Sequence, residues 1–372
     1  MRLIPKIAPL ALLAFTCFGQ SDSDSNQGNT IESDAEGNSS LQQSSLAKPS
    51  ISQFFPVWRP PAFAAVPRQI QARAEDHTKP RPRMEGSATG YIENAIVGNQ
   101  IRLRFDAAFG FQDPDRAEFF YAKCGCYRSL NKTDPEYDPN APGPGAGIAM
   151  KLNFQEVHLN VEYAPLPRLS FFADVPERSI EFTSVTSGTL KNASGLGDFE
   201  AGFKAALLAS PERYLTFEMG AFMPTGHPSL GLSTNHFSVE PLLLYNQKLS
   251  DHVTIAGQFG DWHPVGGSAG LPTSSPNGFA GDVLTYGLGA SYDFVSGSDN
   301  HVTPVLEFVG WSVLSGFATG PGPASGTNIV NAKLGVRFSI HNHNSIYVGF
   351  GHALTNAHWY EEILRLEYRY AF

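Results

Sequence analysis

The chain has 372 residues and a formal net charge of −9, with 26 Lys and Arg against 35 Asp and Glu. Only 16% of residues are charged, where roughly 25% is ordinary, while 42% are hydrophobic and 12% aromatic. That content excludes a wholly disordered protein, the acidic balance gives no electrostatic basis for binding nucleic acid, and three cysteines are too few for a disulfide framework.

Residues 1–20 have the layout of a signal peptide. Arg2 and Lys6 form a basic start, Ile7 to Phe18 is an apolar run, and Cys17 and Gly19 are small residues ahead of a cleavage point near Gln20. The run is short of the ~20 residues that a spanning helix needs. A lipid anchor on Cys17 is the competing reading, and the Phe15-Thr16 pair before it fits a lipobox poorly. No later stretch approaches a spanning helix. Residues 21–97 are expected to be a periplasmic segment. Its first part, to about Ser50, is Ser, Asp, Asn, Gln and Gly with few apolar groups to offset ordering entropy, so disorder is expected there. Phe54 to Met84 combines prolines, aromatics and cations, and reads as an extended linker, a periplasmic contact segment or a lumen plug.

From residue 98 to residue 372 the texture is uniform. Apolar residues alternate with polar or small ones, as in Ile101, Leu103 and Phe105 against Arg102, Arg104 and Asp106, or Val157, Leu159 and Val161 against His158, Asn160 and Glu162. The same pattern recurs in segments around residues 199–207, 215–223 and 332–340. Side chains on a strand point to opposite faces in turn, so each segment has one apolar and one mixed polar face. Short breakers near 164–167, 210–213, 250–251, 296–300 and 341–344 alternate with longer Gly/Pro/Ser-rich connections at 112–147, 176–197, 225–235, 264–281 and 316–328. Short turns on one rim and long loops on the other predict an all-β fold: a transmembrane antiparallel barrel of about twelve strands, in the outer membrane of a Gram-negative-type bacterium. The closing run ILRLEYRYAF places Leu364, Leu366, Tyr368, Tyr370 and Phe372 on one face. Tyr368, Tyr370 and Phe372 look like an outer-membrane assembly signal, which makes the barrel-assembly machinery and outer-membrane lipid the expected partners. The lumen-facing candidates are Arg102, Arg104, Asp106, Glu162, Glu200, Lys204, Glu218, Lys333 and Arg337, followed by Arg365, Glu367 and Arg369.

Gly195-Leu196-Gly197-Asp198 opening a strand that contains Lys204, followed by Met223-Pro224-Thr225-Gly226, resembles the outer-membrane barrels grouped with the MetA pathway of phenol degradation, over roughly Ala193 to Phe372. The resemblance implies passage of small, often hydrophobic or aromatic solutes, the particular solute being unknown. Phe172, Phe222 and Tyr347, on the expected lumen side, suit weak apolar contacts along such a path. The alternatives are a structural or adhesive barrel and, behind it, an outer-membrane acyl hydrolase using His236 and Ser238.

Other constellations suggest chemistry more weakly. Cys124-Gly125-Cys126, in the longest loop, reads as a disulfide in an exported chain, with a metal or redox role or free thiols as alternatives. His236-Phe237-Ser238 resembles the His-x-Ser pair of outer-membrane acyl hydrolases, including the twelve-stranded phospholipase A. Here the pair is expected to face the lumen, and Val239-Glu240 replaces the Asn-Gly that follows in those enzymes. No enzyme activity, catalytic residue, metal or cofactor is therefore expected. His341 and His343 fall on the opposite rim from His352 and His358, so these four do not form a shared site.

Overall fold

The computed structural model describes residues 86–114, 122–135, 137, 139, 141–145, 147–265, 281–294, 300–316, 324–340 and 343–372. The expected leader and most of the segment after it, up to residue 85, lie outside them. The alternating segments form strands β1 (Gln100–Phe111), β2 (Ile148–Leu166), β3 (Leu169–Ser187), β4 (Ala193–Leu196), β5 (Phe199–Ala209), β6 (Arg213–Met223), β7 (Ser238–Lys248), β8 (Val253–Pro264), β9 (Val283–Tyr292), β10 (Asn300–Val313), β11 (Asn328–Ile340), β12 (Asn344–Ala353) and β13 (Glu362–Ala371). Each pairs antiparallel with its neighbours, and β1 pairs with both β2 and β13, so the sheet closes on itself. β4 and β5 both lie along β3, interrupted only at Gly197-Asp198, and together make one stave. The result is a closed twelve-stave antiparallel barrel with no α-helix among the described residues.

Its sidedness is that of a membrane protein. On β13, Leu364 and Leu366 are 45% and 48% exposed, while Arg365 between them and Glu367 beyond them are 8% and 1% exposed. A soluble barrel would carry the opposite arrangement. Charge on the outer face would cost roughly 2–4 kcal/mol for each Arg or Lys at the bilayer midplane, so the carboxylates and guanidiniums point inward and the Leu, Val and Tyr side chains outward. Closure leaves no strand edge unpaired in lipid. The barrel is therefore an outer-membrane barrel, with short turns on the periplasmic rim and long loops outside.

Two local findings depart from the sequence reading. Residues 176–197 were expected to be a loop, yet β3 runs on through Pro176 to Ser187 and β4 pairs with it. The outward face changes there from Phe171, Ala173 and Val175 to Glu177, Ser179 and Glu181, while Arg178 and Ile180 stay buried. β2 changes in register with it, from Val157 to Gln155. The long hairpin thus leaves the apolar zone at this level, and its polar outer face hid the strand. The second finding is on β1, where the register shifts between Ala108 and Phe111 and Gly110 adopts a left-handed φ of 70°. The irregularity turns Phe111 into the core, 2% exposed, although simple alternation sets it outside.

Gly86–Val97, expected to belong to the periplasmic segment, lies inside the barrel. Tyr91 and Ile92 join one buried apolar cluster, while Ala95 and Ile96 join a second with Tyr214, Leu242 and Leu244. The segment starts beside Arg369 near the short-turn rim, reaches mid-lumen at Gly90 to Glu93, and returns to Glu162 at Gly98. It is a loop inserted from the periplasmic end, continuous with β1.

Candidate functional site

The inserted loop is held by its backbone. One fully buried carboxylate, Glu307 of β10, accepts the N–H groups of Gly90, Tyr91 and Ile92 at 3.2, 3.0 and 2.8 Å and the Tyr347 hydroxyl at 3.2 Å. Guanidiniums of the opposite sign take the carbonyls. Arg369 donates to Ser87 O at 3.0 Å, Arg337 to Ala88 O and Thr89 O at 3.0 and 2.7 Å, and Arg365 to Gly90 O. Beyond the apex, Gln258 accepts from the Glu93 N–H at 2.9 Å, Lys204 donates to Asn94 O at 3.1 Å, and Thr216 donates to Ala95 O. The lumen side chains thus supply what strand neighbours would supply in a sheet, as burial of a backbone segment requires.

Close packing makes specific residues necessary. A Cβ at Gly90 would stand 2.1 Å from the Tyr347 ring, which also covers Gly335 and Gly349 on the wall. Gly287 and Gly289 leave room for Ile92, whose side chain is 3.2 and 3.1 Å from where their Cβ atoms would lie. The Tyr91 ring meets two cations, with Lys333 Nζ 4.0 Å and the Arg365 guanidinium carbon 4.2 Å from its centroid. Burial pushes its phenol well up. Glu93 pairs with Arg102 at 3.2 Å. Burial alone would raise its carboxyl, but Arg102 first, then Lys204, Arg104 and Arg365, hold it down at about 2.

Above the apex the lumen widens into a cavity of about 180 Å³. Its wall on the loop side is aromatic, with Phe111, Phe154, Trp311, Trp359 and Tyr360 in edge and tilted contacts. Its lower wall is charged and polarised. Arg102 and Arg104 on β1, Arg365 on β13 and Lys333 on β11 face Glu200, Glu218 and Glu240 on β5, β6 and β7 across the ring. The cations are engaged locally: Arg365 grips Asp106 with two bonds of 2.7 Å, Arg104 is 3.3 Å from Asp106, and Lys333 donates to Tyr360 Oη at 2.9 Å.

The sequence candidates fall as follows. Arg102, Asp106, Glu162, Lys204, Glu218, Lys333 and Arg337 are buried inside the barrel, and Arg104 and Glu200 are partly buried on the same side. Most of them fall into ion-paired groups: Arg102 with Glu93, Arg104 and Arg365 with Asp106, Lys204 with Glu162 and Glu218, and Arg337 and Arg369 with Glu367. Phe172, Phe222 and Tyr347 are buried too. Tyr368, Tyr370 and Phe372 face outward, the last two stacked. Cys124 and Cys126 are joined by a disulfide, and Gly143 in the same loop donates to Pro228 O at 2.7 Å in the β6–β7 connection.

His236 and Ser238 share the inner face but form no hydrogen bond with each other. Among the described residues the Ser238 hydroxyl has no partner, His236 Nδ1 is 3.3 Å from Phe237 O, and burial lowers the His236 pKa. His343 is tied to Ala371 O at 2.7 Å on the short-turn rim, and His341 lies outside the described residues. Asp106, Glu156 and His158 lie close enough to share a cation, yet Arg365 and Arg178 already occupy the first two.

The inserted loop and Glu307 were missed from sequence. The loop has neither helical nor strand period, and its one signal is a short apolar patch, Tyr91-Ile92 and Ala95-Ile96-Val97, just before the first strand. Glu307 is the lone carboxylate of an otherwise apolar stretch, VLEFVGW.

No protein-family profile matches the sequence, and no curated protein matches it. Similar solved structures include the COG4313 outer membrane channel from Pseudomonas putida F1, with 16% identity over 77% of this chain and 100% of that one, at a TM-score of 0.47. Another is the NanC porin, with 7% identity over 74% of this chain and 100% of that one, at 0.42. A third is the Ralstonia pickettii toluene transporter TbuX, with 11% identity over 74% and 90%, at 0.38. Likeness at these values carries no functional inference.

Proposed function

We propose that the barrel passes small hydrophobic or aromatic solutes passively across the outer membrane, through a lumen that the Gly86–Gly98 loop closes. The observation that carries this reading is the cavity of about 180 Å³ walled by Trp311, Trp359, Tyr360, Phe111 and Phe154, with a segment of the same chain as its floor. Native interiors are packed with few voids larger than a water molecule, so a space with one aromatic and one charged wall under long loops fits a binding vestibule better than a structural core. The floor is a loop rather than a wall strand, and it can leave without breaking the barrel ladder.

The number of bonds holding that loop favours a second reading, a permanently closed structural or adhesive barrel. Liposomes containing the purified full chain separate the two. Gly90→Val drives a side chain into the Tyr347 ring, and such overpacking costs roughly 1–3 kcal/mol. Under the passage reading, uptake of small solutes rises several-fold in Gly90→Val over the wild type, and Ser238→Ala leaves it unchanged. If no small apolar or polar solute crosses in the wild type or in Gly90→Val, passage is discarded and the closed barrel stands.

A further inference from the structure

The lumen's two walls are unequal in what they leave unsatisfied. Glu200 of β5 forms no ion pair among the described residues. Its carboxylate hangs over Gly220, with Oε1 2.7 Å from where that residue's Cβ would lie, and Gly220 is the register partner of Glu240 on β7. Glu218, two residues along the same face, is 4% exposed, and among the described residues its Oε2 accepts no hydrogen bond. Lys204, 3.3 Å away, directs its hydrogen bonds to Asn94 O and Glu162. One ammonium therefore stands among more carboxylates than it can neutralise. Phenyl rings are interleaved with the acids: Phe222 is the direct cross-strand partner of Glu200, and Phe172 that of Gly202.

The lumen already shows how it receives cations. Lys204 Nζ lies 5.7 Å from the Phe172 ring, and Lys333 Nζ sits among Tyr91, Trp311 and Tyr360 at 4.0, 5.4 and 5.4 Å. Rings and carboxylates together attract an ammonium through the ring quadrupole and through charge.

We propose that the cavity is a site for small organic ammonium ions, with the charge held at Glu200, Glu218 and Glu240 and the apolar part against Phe172 and Phe222. The proposal rests on the reading that solutes enter this lumen, and it names their class: aromatic or alkyl amines ahead of neutral or anionic compounds of the same size. An anion of that shape meets the acidic wall, while Arg102, Arg104 and Arg365 opposite are already engaged by Glu93 and Asp106.

Three near-isosteres test it on the full chain in micelles at fixed ionic strength: phenethylammonium, 2-phenylethanol and phenylacetate. Binding is read by tryptophan fluorescence, since Trp311 and Trp359 line the cavity. Phenethylammonium should bind about tenfold tighter than the alcohol, in line with a desolvated cation–π and ion contact, and phenylacetate should show no saturation. The double variant Glu200→Gln, Glu240→Gln should erase the preference while keeping alcohol binding, and Phe222→Leu should weaken the amine and the alcohol alike. A retained heat-dependent gel shift shows that each variant is folded. Equal affinities, tighter phenylacetate, or an effect reproduced by sodium ion alone overturns the site. Solutes that cross without charge preference sink this inference and leave passage standing, whereas selective amine binding with no crossing does the reverse.

Discussion

Glu307 concentrates the anchoring of the inserted loop in one side chain. It is fully buried and accepts three consecutive N–H groups, so Glu307→Ala strands those donors, each at about 1–3 kcal/mol. Amide exchange at Gly90 to Ile92 should accelerate at least tenfold in that variant, with the strands unaffected; unchanged protection would mean that the guanidiniums alone hold the loop. Glu93 contributes differently. Its carboxyl sits at about 2 against an ordinary 4.5, and a lowered folded-state pKa gives stability that is complete above the unfolded value and lost as pH falls through the folded one. The Glu93–Arg102 contact should therefore be undiminished at pH 5 and fade only towards pH 2. Labelling of a Val97→Cys protein by a thiol reagent, divided at each pH by the rate for a free thiol, should be equal at pH 7 and pH 5, and faster at both once Glu93→Gln is added. Wild-type release at pH 5 would contradict this. At this scale, sequence placed the charges on a shared face but could not pair them, because partners such as Asp106 and Arg365 come from strands that meet only when the ring closes.

The strands were the most legible part of the chain, since lipid outside and charge inside impose a strict period of two. β13 is the clearest case, with Leu364 and Leu366 outward and Arg365 and Glu367 inward. Its faces should respond unequally to substitution. Leu366→Arg should cost roughly 2–4 kcal/mol in urea unfolding from liposomes if it lies near the midplane. Replacing Tyr370 and Phe372 with charged residues should reduce membrane assembly and leave export intact, as measured by fractionation; normal assembly would remove their role as a signal. The pattern failed where lipid no longer imposes it. Above Val157 and Val175 the β2–β3 hairpin turns a polar outer face to water, and Pro176 read as a breaker although it sits in the strand. The irregularity at Gly110 reversed Phe111 for a different reason, a local backbone turn that alternation cannot encode.

For the whole molecule, closure and sidedness make a joint prediction. The folded barrel should migrate differently on a gel before and after boiling, and Arg102→Cys, Lys204→Cys and Lys333→Cys should react with water-soluble rather than membrane-soluble reagents. A barrel without a mobility shift, or lipid-phase labelling at those positions, would invert the arrangement. The twelve staves and the rims were readable because they follow from membrane physics. The interior loop was not, because it follows no period of its own: its conformation is written in the residues of β10, β11 and β13, more than 200 positions away in sequence.

The loop's entry from one end gives the closed barrel a mechanical direction. Tension on Gly86 from the periplasmic side meets its bonds one after another, first Arg369 to Ser87 O, then Arg337 to Ala88 O and Thr89 O, then Arg365 to Gly90 O. Peeling in series requires little force at any instant. A push from outside instead bears on the apex at Gly90 to Glu93, compressing two arms that both run back to the short-turn rim and loading the Glu307, Gln258 and Lys204 contacts together. Under the passage reading, such a loop would act as a check valve, released by tension from the periplasmic side and resistant to pressure from outside.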